Sequence, residues 1–386
     1  MTLSYKTISL SEPEISGNEW DYIKDCLDTG WVSSGGEYVS RFENAIASYI
    51  GVKCAVATVN GTAALHVSLI ACNVQPGDEV IIPALTFVAP ANVVRYCGAY
   101  PVFMDCDERT LCVDIQKVID FIKHECIQRA DGFTYNRSTG RRIKAIIPVH
   151  VFGHPVDMDG LIEICASHNI DIVEDATESL GSEYKGARTG TFGKTGCFSF
   201  NGNKIITTGG GGMVVTNDDK LAKDIKHLTT QAKSDSFEYD HDEIGYNYRL
   251  TNIQAAMGVA QMEKLDEFIS VKRRNASLYR DLLSELEGVE FIWEEQWAKS
   301  NFWFYAVKVS RNNKESLLEY LLSGGIQVRP IWRLINTLPM YTDYQAYFVD
   351  AAVDAYERCI NLPCGVKITE NEIRTIVERI REFFSK

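Results

Sequence analysis

One lysine, Lys204, stands just beyond an apolar run in GCFSFNGNKIITTGGGG, and four glycines, Gly209 to Gly212, follow it. Glycines lack a Cβ and let the backbone come close to a bulky planar ligand, which a merely structural lysine does not require. An amine held there can form a Schiff base with an aldehyde cofactor. The run is not a nucleotide-hydrolysing loop, because no G-x-x-x-x-G-K-[ST] occurs. Asp175, in NIDIVEDATESLGS, ends an apolar stretch that reads as a buried strand. Open α/β sheets place ligands at the carboxyl ends of their strands. A carboxylate is costly there unless it meets a cation or several donors. A protonated pyridine nitrogen would serve and would keep its ring an electron sink; a helix N-cap is the plainer use. Asn60-Gly61-Thr62 opens a helical run, where free N–H groups and the Thr62 hydroxyl suit either a phosphate or ordinary capping. Phe87, in PALTFVAPAN, can stack on a flat ring or pack in the core. In chain order these supply a phosphate cup, a stacking aromatic, a pyridinium partner and a Schiff-base lysine.

The segments around these residues alternate between helix-like and strand-like patterns. Helical spacing covers 41–50, 63–72, 113–124 and 158–168, and short apolar runs at 79–83, 101–105, 143–149, 170–174, 197–200 and 213–216 read as strands. Alternation of this kind predicts a mainly parallel, seven-stranded-type sheet between helices, an α/β fold. Residues 127–142 are polar and turn-rich, and predict a surface hairpin. After residue 250 the pattern changes: 253–282 reads as one long linking helix, and 302–309 and 326–330 as strands. Thr369 and Glu372 form a capping box, with Ile373, Ile376, Val377, Ile380 and Phe384 as one apolar stripe behind it. The expected division is a large domain over 1–250 and a smaller α/β domain over 251–386.

The 386 residues carry a net charge of −13, with 45% hydrophobic and 24% charged residues. That excludes a nucleic-acid or anionic-membrane surface, which needs a basic face, but not one locally held phosphate. Eleven cysteines lie mostly in apolar runs with no C-x-x-C pair, as expected of reduced thiols in a cytoplasmic protein. No signal-peptide pattern and no membrane-spanning apolar stretch occurs in the sequence. His150 and His154 are spaced i, i+4, yet VHVFGH lacks the H-E-x-x-H context of a zinc helix, so no metal is expected. No G-x-S-x-G elbow supports a hydrolase.

Several ordered blocks resemble the DegT/DnrJ/EryC/StrS sugar aminotransferases: PGDEVIIPALTFVAPANVV, VHVFGHPVDMD, VEDATESLGSEYKG, FSFNGNKIITTGGGGMVVTND and GYNYRLTNIQAA. The likeness runs from about Gly17 to the C-terminus. It implies a fold-type I enzyme dependent on pyridoxal 5'-phosphate, with pyridoxamine phosphate as the intermediate form. Lys204 would then carry the cofactor and shuttle the proton, while Asp175 holds the pyridinium nitrogen. Glu178, where many members have glutamine, would approach the phenolic oxygen. Gly61, Thr62 and Ser199 would bind the phosphate, Phe87 would stack on the ring, and Asn247 would reach in from the neighbouring subunit of a homodimer. L-Glutamate is the implied donor and a nucleotide-linked keto sugar the acceptor.

Within the family, FNGNKIITTGGGGM and the TGRRIKA insert look most like members acting at C4 of UDP-4-keto-6-deoxy-N-acetylglucosamine in bacillosamine and legionaminic acid synthesis. GDP-perosamine synthases are the rival. Trp31, Ser33, His150, Tyr248, Arg249 and Asn336 are the expected substrate contacts, with His150 on the site's floor; Asn336 stands where relatives often have histidine. A same-fold sugar dehydratase would have histidine in place of Lys204, and a same-fold sensor should have lost Lys204 or Asp175.

Overall fold

The computed structural model describes residues 7–235 and 237–385; the first six residues of the expected large domain lie outside them. The chain begins with α1 (Glu19–Thr29) and α2 (Glu37–Ile50), and then builds the main sheet. Its strands are β1 (Cys54–Thr58), β2 (Glu79–Pro83), β3 (Tyr100–Met104), β4 (Ile143–Ile146), β5 (Asp171–Asp175), β6 (Thr195–Ser199) and β7 (Gly212–Thr216). They lie side by side as β1-β7-β6-β5-β4-β2-β3, and a short strand, Ala346–Tyr347, adds to β3 as an eighth. Strand β7 is antiparallel to both its neighbours, and the other pairs are parallel. β2 and β7 are buried along their whole length, and β3, β5 and β6 at all but one residue. Continuous burial is what a sheet covered by helices on both faces requires, which is why these strands read as unbroken apolar runs.

Between the strands lie α3 (Gly61–Ala71), α4 (Ala89–Tyr96), α5 (Ile115–Asp120) and α6 (Met158–His168), and α7 (Asp219–Thr229) follows β7. The helix α3 is apolar nearly all round and buries eight of its eleven residues, as a helix inside the core must. A second, antiparallel sheet is built from Glu290–Phe291, Tyr305–Lys308, Cys359–Leu362 and Arg329–Pro330. Asp105, just past β3, ties the two parts together. It accepts from the amides of Ala351 and Ala352 at 3.0 and 2.7 Å, at the start of helix Asp350–Arg358, and pairs with Lys117.

Several boundaries depart from expectation. The linker expected as one helix over 253–282 is two, α8 (Asn252–Met262) and α9 (Leu265–Leu283). The break falls at Glu263–Lys264, where Glu263 takes hydrogen bonds from Asn18 and Tyr22 beside and within α1, each at 2.7 Å. The strand expected over 302–309 begins only at Tyr305, because 301–304 bends away, with Phe302 at φ 50. Of 326–330, only Arg329–Pro330 pairs in the sheet. The helix expected over 113–124 starts at Ile115 behind its Asp114 cap and widens into a π-turn at Phe121–Glu125. The insert is a hairpin, Cys126–Gln128 against Thr134–Asn136. The C-terminal capping box and stripe form on Glu370–Phe384, with Phe384 only partly buried. All eleven cysteines are free. No helix among the described residues is long and apolar enough to cross a membrane.

Candidate active site

A cavity of about 380 Å³ opens at the carboxyl ends of β5 and β6 and the start of α3. Gly61, Thr62, Phe87, Asp175, Glu178, Ser199 and Lys204 all line it, so seven of the eight expected cofactor residues meet in one place. Asn60 caps α3 by accepting from the Ala63 amide at 2.8 Å. The amides of Gly61 and Thr62 have no acceptor among the described residues and open the helix N-terminus to an anion. Gly61 is required by proximity: a Cβ there would stand 2.8 Å from the Ser199 Cβ and 3.1 Å from the Thr177 methyl. Phe87 leaves 54% of its surface exposed, an apolar ring turned to the cavity rather than to the core.

Asp175 is the last residue of β5 and only 3% exposed. Its Oδ1 accepts from the Thr177 amide at 3.1 Å. Burial pushes its carboxyl upward, against the pull of Thr177 and the Lys204 charge. A cation arriving from the cavity would restore the ionised form. Glu178 is also buried; the Phe152 amide donates to its Oε2 at 2.8 Å, and Lys204 Nζ stands 3.9 Å from its Oε1. Burial drives the two in opposite senses, raising the Glu178 carboxyl and lowering the Lys204 amine, so it weighs against the charged form of each. A neutral amine is the nucleophile that an aldehyde cofactor needs. The residues therefore fit pyridoxal phosphate: free amides and hydroxyls for its phosphate, an aromatic face, a buried carboxylate and a buried lysine.

The expected substrate contacts fare differently. His150 is a correction. It is fully buried beneath Asp175, its Nε2 is 3.0 Å from Glu174 Oε2, and its Nδ1 accepts from the Val156 amide at 3.0 Å. With both ring nitrogens engaged and no exposed surface, it packs behind the cavity wall instead of lining it. Trp31, Ser33, Tyr248, Arg249 and Asn336 are not in this chain's cavity lining either, and neither is Asn247. The carbonyls of Trp31 and Ser33 hold Asn252 at the start of α8. Tyr248 bonds His66 on α3 at 3.1 Å, while Asn247 and Arg249 are exposed. Asn336 is half-buried, with its Oδ1 unpartnered.

Sequence reading missed three supports. Glu174 accepts from the amides of Gly190, Phe192 and Gly193 at 2.8, 2.6 and 2.6 Å as well as meeting His150. Trp303 and Trp332 wall the cavity from the second half of the chain. Nothing local marks them, since their partners lie far away in sequence.

Fold and cavity together define a fold-type I, pyridoxal-phosphate-dependent transferase. The profile of the DegT/DnrJ/EryC1/StrS aminotransferase family matches residues 13–381. A GDP-perosamine synthase from Escherichia coli O157:H7 is 39% identical, covering 98% of this chain and 99% of that one. Another, from Caulobacter vibrioides, is 39% identical with 96% of each chain covered. The crystal structure of a DegT DnrJ EryC1 StrS aminotransferase from Brucella abortus superposes with a TM-score of 0.88 at 27% identity, covering 96% of each chain. The chain belongs to the DegT/DnrJ/EryC1/StrS aminotransferase family and is a sugar aminotransferase.

Proposed function

We propose that the chain aminates C4 of a GDP-linked 4-keto-6-deoxymannose with L-glutamate as donor, giving GDP-perosamine. The observation that carries this reading is the 39% identity, over nearly full length, to two GDP-perosamine synthases. The motif likeness to enzymes of UDP-4-keto-6-deoxy-N-acetylglucosamine favours the second reading and rests on shorter blocks.

Pyridoxal phosphate would supply the electron sink for cleaving the bond to the α-proton. The Lys204 amine would take that proton and later give it up, acting as general base and then acid. Burial weighs against its charged form, and Glu178, 3.9 Å away, opposes that pull. Asp175 would fix the ring nitrogen's charge, Glu178 would face the phenolic oxygen, and Gly61, Thr62 and Ser199 would anchor the phosphate. Asn247, exposed and away from its own cavity, would complete the phosphate site of a second copy in a homodimer. Exposed apolar side chains such as Trp20, Trp31 and Ile244 suit such an interface.

The test is a mass-spectrometric assay of cofactor-loaded protein with L-glutamate and both keto sugars side by side. Amination of the GDP sugar alone supports the reading; amination of the UDP sugar alone replaces it with the second. No product from either overturns both.

A further inference from the structure

We infer that Trp303 is a positioning residue for Lys204: its indole face seats the free ammonium, and its N–H fixes the loop that carries the lysine. Lys204 Nζ lies 3.8 Å from the Trp303 ring centroid, well inside the range of a cation–π contact, which is strongest for tryptophan and when shielded from water. Trp303 is 3% exposed, so it is shielded. Its Nε1–H donates to the carbonyl of Asn203, the residue before the lysine, at 2.6 Å. One side chain thus grips both the lysine's backbone approach and its amine.

Trp303 is itself held. Its amide donates to Asn301 Oδ1 at 2.9 Å, and Asn301 Nδ2 donates to the carbonyls of Glu178 and Leu180, each at 3.0 Å. The same amide group therefore ties together the backbones of the two residues that flank Lys204, Glu178 on one side and Trp303 on the other. The charged groups facing the amine are the carboxyls of Glu178 and Asp175. They sit on the segment ending β5, whereas the indole comes from the stretch before Tyr305. The ring offers attraction without a proton-accepting atom. It can hold the amine in place between its covalent states without competing for the proton the amine must pass on. This role is independent of which nucleotide sugar is aminated.

The decisive experiment replaces Trp303 in the full-length chain with tetrafluorotryptophan, which keeps the shape and the N–H but withdraws charge from the face. Cofactor-free protein is acetylated with trace acetic anhydride across a pH series, and modification of Lys204 is read by mass spectrometry against an exposed lysine. The midpoint for Lys204 falls by about one pH unit if the face seats the ammonium. An unmoved midpoint overturns that seat. In W303F a face remains and the N–H is lost, so pyridoxal phosphate is captured about fivefold more slowly while the midpoint moves less than in the fluorinated protein. An unchanged capture rate overturns the loop-fixing role. Should W303F not fold, the capture rate of Asn301→Asp, which keeps the acceptor for the Trp303 amide but loses the Nδ2 donor, replaces it. A slower capture there supports the tie and an unchanged one overturns it.

Discussion

Gly61→Ala separates helix chemistry from cofactor chemistry. Gly61 is the first residue of α3 and does not have a positive φ. Alanine is therefore allowed by the backbone and, on an exposed helix, would stabilise by up to about 1 kcal/mol. Here its Cβ would stand 2.8 Å from the Ser199 Cβ, where ordinary contact begins at 3.4 Å. The start of α3 must move from β6 by at least about 0.6 Å, and overpacking of this size costs about 1–3 kcal/mol. The two effects partly offset in the cofactor-free protein, leaving a net loss of about 0–3 kcal/mol. The amides of Gly61 and Thr62 move with the helix, however. Weakening one charge-assisted bond to a phosphate costs about 1.5–3 kcal/mol, or about tenfold to a hundredfold in affinity. Thermal melting of cofactor-free protein and absorbance titration with pyridoxal phosphate read the two separately. Gly202→Ala is the control, because nothing lies within 4 Å of its added Cβ. Affinity for Gly61→Ala within about threefold of the parent, with melting unchanged, would show that the added Cβ does not displace the start of α3.

Further outcomes follow from the same geometry. Lys204→Ala abolishes turnover, measured as amine transfer from L-glutamate, because one amine is both attachment point and proton carrier. Glu174→Gln substitutes an amide for a carboxylate that takes three backbone amides and meets His150; urea unfolding should show a loss of about 2–4 kcal/mol. Burial raises the Glu178 carboxyl from 4.5 to about 7. Its stabilising contribution is thus full below 4.5 and lost as pH rises through 7. Relative to the parent, Glu178→Gln should gain melting temperature as cofactor-free protein is taken from pH 5 to pH 8. Asp105→Asn removes the charge that meets Lys117 and two amides of helix Asp350–Arg358. It should speed proteolysis of that helix while leaving the cofactor spectrum unchanged.

What could be read in the sequence was whatever is contiguous. Asp175 at the end of an apolar run, the glycine at a helix start and the lysine before four glycines each carry their meaning within a few residues. The cavity unites them because a parallel sheet brings its strand ends together. Trp303 could not be read, because its partner Asn203 is 100 residues away and a tryptophan before an apolar run looks like strand. The misread strand start at 302 and the unforeseen wall of the site are one fact: residues 301–304 leave the sheet to serve the cavity. Glu174 hid for a related reason, since its donors come from a turn with no regular period. His150 was misplaced because a histidine beside a strand end resembles a ligand contact until its neighbours are known. The linker broke at Glu263 through contacts to α1, a helix over 200 residues earlier that helical periodicity in the linker cannot reveal.

Lys204 is proposed to hold pyridoxal phosphate in a cup formed by this chain's own strand ends. Cofactor-loaded protein should be reduced with borohydride, digested and mapped by mass spectrometry. A pyridoxyl phosphate group on Lys204 alone is the predicted result. A label on another lysine, or none on a protein that shows the cofactor's absorbance, would contradict it.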